Sequence, residues 1–328
     1  MSDCLGVLLV QLGGPESRDQ LKPFLYELFV DPEILGIRFA PLRKLVAWII
    51  ATARAPKSAE TYERIGWSPI RRWSETQARL LERLPAARTS SGDAPTVVRV
   101  GMTCSPPFVE TALEELREAG ATRLLVLPLY PQYSVTTTRG SFHRVTSALA
   151  KMRWNPARRN APDAWYEEPG FIAAHVARIR AAAATLPDAD PSRTVVLYSA
   201  HSLPVKTIRE QNDPYPEHIE ATVRAIDAAL GGAYRSRLGY QSKVGPVEWL
   251  GPSTSEVLAD LAKAGEKQVL VVPVAFVSDH VETLYEIRLL FGGEAARLGI
   301  PHYVVAEGLN DHAEFIRALA DVVGKAAP

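Results

Sequence analysis

The chain has 328 residues, 47% hydrophobic and 23% charged, with 37 Lys plus Arg against 37 Asp plus Glu. That length and composition suit a soluble protein of two ordinary α/β domains, and the charge balance leaves no electrostatic footprint for nucleic acid. Two cysteines, Cys4 and Cys104, can build neither a disulfide framework nor a four-thiolate iron–sulfur site. Met1 to Leu12 has no basic leader pattern and no stretch reaches the ~20 apolar residues of a bilayer span, so a cytoplasmic location is expected.

The first expected strand is Leu5–Leu12, an almost unbroken apolar run. Gly13-Gly14-Pro15 follows it, but G-x-G-x-x-G is absent and GxxxxGK[ST] occurs nowhere. A dinucleotide cofactor and a P-loop are therefore not expected. Residues 19–75 concentrate large apolar side chains, among them Phe29, Ile34, Phe39, Leu42, Leu45, Trp48 and Ile49, with Arg38, Arg43, Lys44, Arg54 and Lys57. Such a segment fits a lip over an apolar ligand, a patch for a membrane surface, or an extra pair of packed helices.

Further strands are expected at Val97–Met102, Leu124–Tyr130, Thr194–Ala200, Arg237–Gln241, Gln268–Phe276 and His302–Ala306. Amphipathic stretches lie between them at Glu110–Ala119, Glu217–Leu230, Ser255–Ala264 and His312–Val323. Near-continuous apolar strands alternating with helices imply parallel sheets covered on both faces. The pattern also repeats. Gly120-Ala-Thr-Arg-Leu-Leu-Val-Leu-Pro-Leu resembles Gly265-Glu-Lys-Gln-Val-Leu-Val-Val-Pro-Val, each after a helix expected to start at a proline, Pro106 or Pro252. Pro15 to Pro128 spans 113 residues and Pro204 to Pro273 spans 69, so the first half holds an excess of 44, mainly within residues 19–75.

Three places carry chemistry. His201, in Tyr198-Ser-Ala-His-Ser-Leu-Pro204, falls just past the carboxyl end of a strand, where open α/β sheets bind ligands. A second strand ends near Phe276, and Ser278 or Asp279 is a good N-cap for the helix after it. Asp279, Glu282 and Glu286 would then share one helical face at i, i+3 and i+7, with His280 pointing elsewhere. Such a row suits a hydrated divalent cation or proton transfer. The spacing is not that of a zinc motif. The third is the loop Tyr240–Pro252, where Trp249 could stack on a flat ligand. Tyr130-Pro-Gln-Tyr-Ser134 and Thr136–Thr138 follow a strand in the first half in the same way.

Taken together, these segments resemble the ferrochelatases, which insert ferrous iron into a porphyrin. The matching pieces are LLVQLGGPES at Leu8–Ser17, FLYELFVDPEIL at Phe24–Leu35, APKSAETYERIG at Ala55–Gly66 and SPIRRW at Ser68–Trp73. LPLYPQYSVTTT follows at Leu127–Thr138, YSAHSLP at Tyr198–Pro204 and NDPYPEHIEATV at Asn212–Val223. YQSKVGPVEWLGPST at Tyr240–Thr254 and SDHVETLYE at Ser278–Glu286 complete the order.

The resemblance implies an α/β fold of two similar Rossmann-like domains, each a parallel four-stranded sheet flanked by helices, with a porphyrin cleft between them. Their expected bounds are 1–165, with the lip at about 19–75, and 166–310; a C-terminal helix, 311–328, would pack back across both. It implies a catalytic and metal-binding pair, His201 and Glu282, with Asp279, His280 and Glu286 as polar support. It assigns porphyrin contact to Leu12, Arg54, Tyr62, Ser68, Tyr130, Ser242 and Trp249. A neutral imidazole can accept pyrrole protons near neutral pH, and carboxylate oxygens can hold Fe²⁺ briefly. Iron is then a substrate, no cofactor stays bound, and an apolar lip would allow peripheral contact with a membrane.

Several positions depart from the family pattern. Met102-Thr103-Cys104 stands where many members have Met-Arg-Tyr, and Ile65-Gly66-Trp67-Ser68 is one residue short of the usual glycine run. Arg288 and Leu290 interrupt the acids that usually follow Glu286, and Val135 replaces the cluster-linked cysteine of animal-type members, so no iron–sulfur cluster is expected. Leu12 occupies the place of a tyrosine common in coproporphyrin enzymes, which points to protoporphyrin IX as substrate and haem b as product. Coproporphyrin insertion and a non-catalytic porphyrin- or haem-binding role are the alternatives. A corrin or sirohydrochlorin chelatase fits less well, because the 44-residue excess makes a lip that those shorter chains lack.

Overall fold

A computed structural model of the chain describes residues 4–84, 96–187, 189–243, 245 and 247–326. Val244 and Pro246 of the Tyr240–Pro252 loop lie outside the described residues. The chain divides into two compact units, residues 1–164 with 316–328, and Trp165–Phe315. The C-terminal helix α12 (Ala313–Ala326) gives its first residues to the second unit and the rest to the first.

The first unit is built on a four-stranded parallel sheet in the order β2-β1-β3-β4, from β1 (Leu5–Gln11), β2 (Thr96–Met102), β3 (Arg123–Pro128) and β4 (Ala157–Asn160). All of β1 is buried, as an unbroken apolar run demands when it sits between two neighbours with both faces covered. Helices α1 (Arg18–Val30), α2 (Pro32–Leu35), α3 (Ala40–Glu63), α4 (Ile70–Glu82), α5 (Val109–Glu118) and α6 (Gly140–Met152) belong to this unit. A π-helix, Val135–Arg139, leads into α6.

The second unit repeats the plan. Its parallel sheet has the order β6-β5-β7-β8, from β5 (Thr194–His201), β6 (Arg235–Gln241), β7 (Gln268–Pro273) and β8 (His302–Val305). Its helices are α7 (Pro169–Ala183), α8 (Val205–Gln211), α9 (Tyr215–Ala229), α10 (Thr254–Lys263) and α11 (Phe291–Arg297), with a π-helix at Glu282–Leu290. Both halves carry a cis X-Pro bond in the loop after the second strand, Pro106–Pro107 and Gly251–Pro252. The N–H of Met102 donates to the Pro107 carbonyl at 2.7 Å and that of Tyr240 to Pro252 at 2.9 Å, so the loops are closed alike.

Four local expectations change. The edge strand β4 reads Ala-Arg-Arg-Asn and has no apolar run to announce it. β3 and β7 stop at Pro128 and Pro273, short of the expected ends, because proline cannot donate the next ladder bond. Pro106 and Pro252 do not start helices; α5 and α10 begin beyond them, at Val109 and Thr254. The Ser253 hydroxyl and the Glu256 carboxylate complete a capping box there. Finally, the helix expected from Ser278 or Asp279 begins only past His280 and is a π-helix from Glu282.

The 19–75 segment holds a helical hairpin in which α1 packs on α3. The contact face of α3 is made of small residues, Ala47, Ala51 and Ala59, with Tyr62. Its large apolar residues turn outward, Leu45 55% exposed, Trp48 53% and Ile49 51%, as does Phe39 at its N-cap, 67% exposed. The hairpin is therefore both a packed pair and an apolar surface.

Gly101 and Gly239 let strand and helix touch in the two units. A Cβ would stand 2.9 Å from the Val109 backbone at Gly101 and 3.0 Å from the Thr254 backbone at Gly239. Backbone cannot step aside as a side chain can. Gly101→Ala should cost about 1–3 kcal/mol and lower the midpoint of thermal unfolding by several degrees, read by circular dichroism.

Candidate active site

His201 ends β5 and Gln241 ends β6, and the parallel register sets them side by side. Glu282 opens the π-helix that follows β7. The His201 Nδ1 and Glu282 Oε2 atoms are 2.8 Å apart. The same Oε2 accepts from the Ser242 hydroxyl at 3.0 Å and the Gln241 amide at 3.3 Å. The backbone of His201 is held in turn by the Tyr215 hydroxyl, which donates to its carbonyl at 3.0 Å. Both members of the pair keep partial access, with side chains 36% and 19% exposed.

Charge explains the pair. Burial alone would raise the Glu282 carboxyl, but His201 and His280 beside it hold it well below the usual carboxylate range. Burial likewise opposes a charged His201, yet the Glu282 charge and hydrogen bond outweigh it and raise the imidazole above its usual 6.5. With Glu282 ionised, Nδ1 carries the hydrogen and donates it. The Nε2 lone pair of the neutral ring is then the atom that can accept a proton.

Glu286 is different. Burial and the neighbouring Glu282 charge push it up to about 7. Its Oε2 lies 2.6 Å from the Ser242 hydroxyl, which also bonds Glu282. Serine has one hydrogen to give. When Glu286 is protonated it donates to Ser242, and Ser242 donates to Glu282. Ser242 reaches both from a left-handed backbone, φ 66°, uncommon outside glycine.

Asp279 leaves the expected acidic row. Its carboxylate accepts from Thr283 and from Asn310, both at 2.8 Å, and its own N–H donates to the Asn310 side chain at 2.9 Å. It fastens the start of the π-helix to the loop after β8. His280 does not point away: its Nε2 is 3.7 Å from Glu282 Oε1, its Nδ1 lies 3.0 Å from the Ser278 carbonyl, and its ring packs on Phe276. Residues 279 and 280 precede the helix, so helical spacing does not govern them. Among the described residues, no three His, Cys, Asp or Glu side chains converge to hold a metal ion.

The residues expected to touch a porphyrin have mixed settings. Leu12, Tyr130, Ser242 and Trp249 are half-buried and follow strand ends. Trp249 pairs by its backbone with Pro204, which ties its loop to the one after His201. Arg54 is exposed and lies over the Phe29 ring at 5.4 Å. Tyr62 and Ser68 are buried. Tyr62 packs between Phe24 and Trp67, and the Ser68 N–H donates to the Pro15 carbonyl at 3.0 Å. Ser68 closes the turn at Gly14, where a Cβ would meet its side chain.

The sequence profile of the family described as Ferrochelatase matches residues 4–327. The chain belongs to the ferrochelatase family. It is 41% identical to the ferrochelatase of Thermosynechococcus vestitus (strain NIES-2133 / IAM M-273 / BP-1) over 99% of this chain and 83% of that protein. It is 40% identical to that of Gloeobacter violaceus (strain ATCC 29082 / PCC 7421) and 42% to that of Desulfotalea psychrophila (strain LSv54 / DSM 12343), each over 97% of this chain and 96% of the other. Among solved structures, CbiX, the terminal enzyme for siroheme biosynthesis in denitrifying bacteria, superposes with a TM-score of 0.52 at 15% identity, over 99% of each chain. SirB from Bacillus subtilis with Fe³⁺ gives 0.55 at 11% identity, over 98% of this chain and 94% of that one. These two carry the fold. Family membership makes the chain a metal chelatase of haem biosynthesis, a lyase with ferrous iron and a porphyrin as substrates.

Gln241, Tyr215, Thr283 and Asn310 were not among the expected site residues. Gln241 has a partial signal in hindsight, a polar amide at the end of the expected strand Arg237–Gln241, but none that sets it level with His201. Tyr215 lies within the matching segment Asn212–Val223, but nothing there aims its hydroxyl at His201, and Asn310 has no signal because it reaches the site from a distant loop.

The raised Glu286 ties stability to pH. An unfolded glutamate binds its proton only below about 4.5, whereas the folded one holds it to about 7. Its contribution is full at low pH and lost as pH rises through 7. Glu286→Gln should flatten the pH dependence of urea unfolding between pH 5 and 8, read by fluorescence; an unchanged slope would remove the assignment.

Proposed function

We propose that this chain inserts Fe²⁺ into protoporphyrin IX, releasing two protons and forming haem b, with His201 and Glu282 as the catalytic pair. The 2.8 Å contact of His201 Nδ1 with Glu282 Oε2 carries the proposal. Insertion turns a neutral ring into a dianion that neutralises the ion, so two pyrrole N–H protons must leave. His201 Nε2 accepts them one at a time as general base, passing the first to solvent before it takes the second. Glu282 keeps the imidazole in the right tautomer and raises its basicity. Its oxygens are ligands for the arriving ion, firm enough to displace water and weak enough to release it.

The choice of protoporphyrin is supported by Leu12, whose apolar side chain follows the end of β1 where a hydroxyl-bearing residue would offer the metal a ligand. The outer face of α3 and the turn before it support peripheral contact with a membrane through Phe39, Leu45, Trp48 and Ile49, with Arg38 and Lys44 alongside. No helix among the described residues is long and apolar enough to cross a bilayer.

His201→Ala should abolish zinc and iron insertion with the circular dichroism spectrum unchanged; normal turnover would remove the base. Glu282→Gln should lower kcat about 100-fold or more and move the acid limb of the rate profile to lower pH, because the imidazole loses the charge that raises it. Turnover on protoporphyrin and coproporphyrin decides between the two rings. Flotation with anionic liposomes should carry the wild type and leave Trp48→Glu behind.

A further inference from the structure

Glu282 is held unevenly. Its Oε2 meets His201, Ser242 and Gln241 at 2.8, 3.0 and 3.3 Å. An sp² carboxylate oxygen has two lone pairs, so Oε2 has no acceptor capacity left. Among the described residues, Oε1 meets only His280, at 3.7 Å.

The third partner, Gln241, is 2% exposed and stands in a directional chain of buried polar groups. The Ser199 hydroxyl lies 2.6 Å from Gln241 Oε1 and 3.0 Å from the Thr254 hydroxyl. Ser199 gives its only hydrogen to the Gln241 carbonyl, so Thr254 must donate to Ser199. The carbonyl end of the amide is thereby fixed on Ser199, and its N–H₂ end is turned to Glu282. Each hydroxyl hydrogen in the chain is used once, and reversing the amide would set a carbonyl against a carboxylate.

The fold does not require this chain. The two sheets share a register, so Val10 of the first unit stands where Ser199 stands in the second, since each pairs with the proline that ends the next strand. By the same register Thr103 replaces Gln241, and Val109 replaces Thr254 beside the close-packed glycine. One copy of the fold fills these places with two valines and a threonine whose hydroxyl lies 3.6 Å from the Cys104 sulfur. The other copy buries a serine, a glutamine and a threonine, each costly if left unpaired. The polar version ends on Glu282.

We propose that Gln241, oriented by Ser199 and Thr254, is a positioning residue that pins Oε2 of Glu282 and so presents Oε1 to the incoming divalent cation. This rests on the reading of Glu282 as the ion's carboxylate. The ion then meets one oxygen in a fixed direction rather than a freely rotating carboxylate. Orientation of that kind affects metal capture more than porphyrin binding.

The test is steady-state zinc insertion by the purified full chain, with Zn²⁺ and porphyrin varied separately. Gln241→Leu should raise the KM for Zn²⁺ about tenfold or more and leave the KM for porphyrin within about twofold. Ser199→Ala, which frees the amide to turn, should shift the zinc KM the same way by a smaller factor. The double variant should be no worse than Gln241→Leu alone, because both act through one chain. Gln241→Glu should not rescue, since it sets a second carboxylate against Oε2. An unchanged zinc KM in Gln241→Leu, an equal change in both KM values, or additive effects in the double variant would each overturn the proposal. Should Gln241→Leu not fold, Ser199→Ala decides: a zinc-selective rise supports the chain and no rise refutes it. Glu282→Gln is run beside them. Wild-type rates in that variant remove the carboxylate reading itself, whereas a slow Glu282→Gln with a normal Gln241→Leu removes only the positioning role.

Discussion

The contact between His201 and Glu282 is the constraint on which the rest of the site depends. A carboxylate and an imidazole that are half withdrawn from water must stabilise each other, because neither charge is well solvated alone. That pairing lowers one group and raises the other. It also determines which ring nitrogen is left to act. Ser242, Gln241, His280 and Tyr215 all serve the pair, either by sharing the load on Glu282 or by holding the His201 backbone.

The duplicated fold shows how little of the architecture is chemical. The units share strand order, register, proline loops and a π-helix after the third strand. By register, Leu12 stands at the His201 place, Thr103 at the Gln241 place and Cys104 at the Ser242 place. Burial pushes the Cys104 thiol up to about 12, so it remains a neutral, inert group. The same scaffold thus carries an apolar strand end in one copy and an imidazole with carboxylates in the other. The first unit supplies instead the α1–α3 hairpin, whose alanine-lined inner face lets the helices close and leaves the bulky residues outside.

The π-helix is what gathers the acids. Four residues apart on it, Glu282 and Glu286 reach one serine hydroxyl, whereas Asp279, ahead of the helix, is taken by Thr283 and Asn310. Two carboxylates this close cannot both ionise easily. One pairs with the histidine and stays charged, and the other keeps its proton to about neutral pH. Arg288 and Leu290 follow where a longer acidic row would have continued, so the charge density ends with this coupled couple.

Much of this was determined by the sequence alone. Apolar runs such as Leu5–Val10 have no stable place except inside a covered parallel sheet, and the repeated strand–proline pattern required two sheets of one kind. His201 at a strand end and Glu282 after the next strand but one were legible for the same reason: ligands gather at carboxyl ends. The tertiary structure decided what periodicity cannot express. It alone set β4 at an edge without an apolar signal, began the helix beyond His280, and turned Asp279 away and His280 inward. It also placed Gln241 beside His201, because lateral strand register is a property of two distant segments and is written in neither. Local pattern dictates which face of an element is buried; only the packed sheet dictates which polar ends meet.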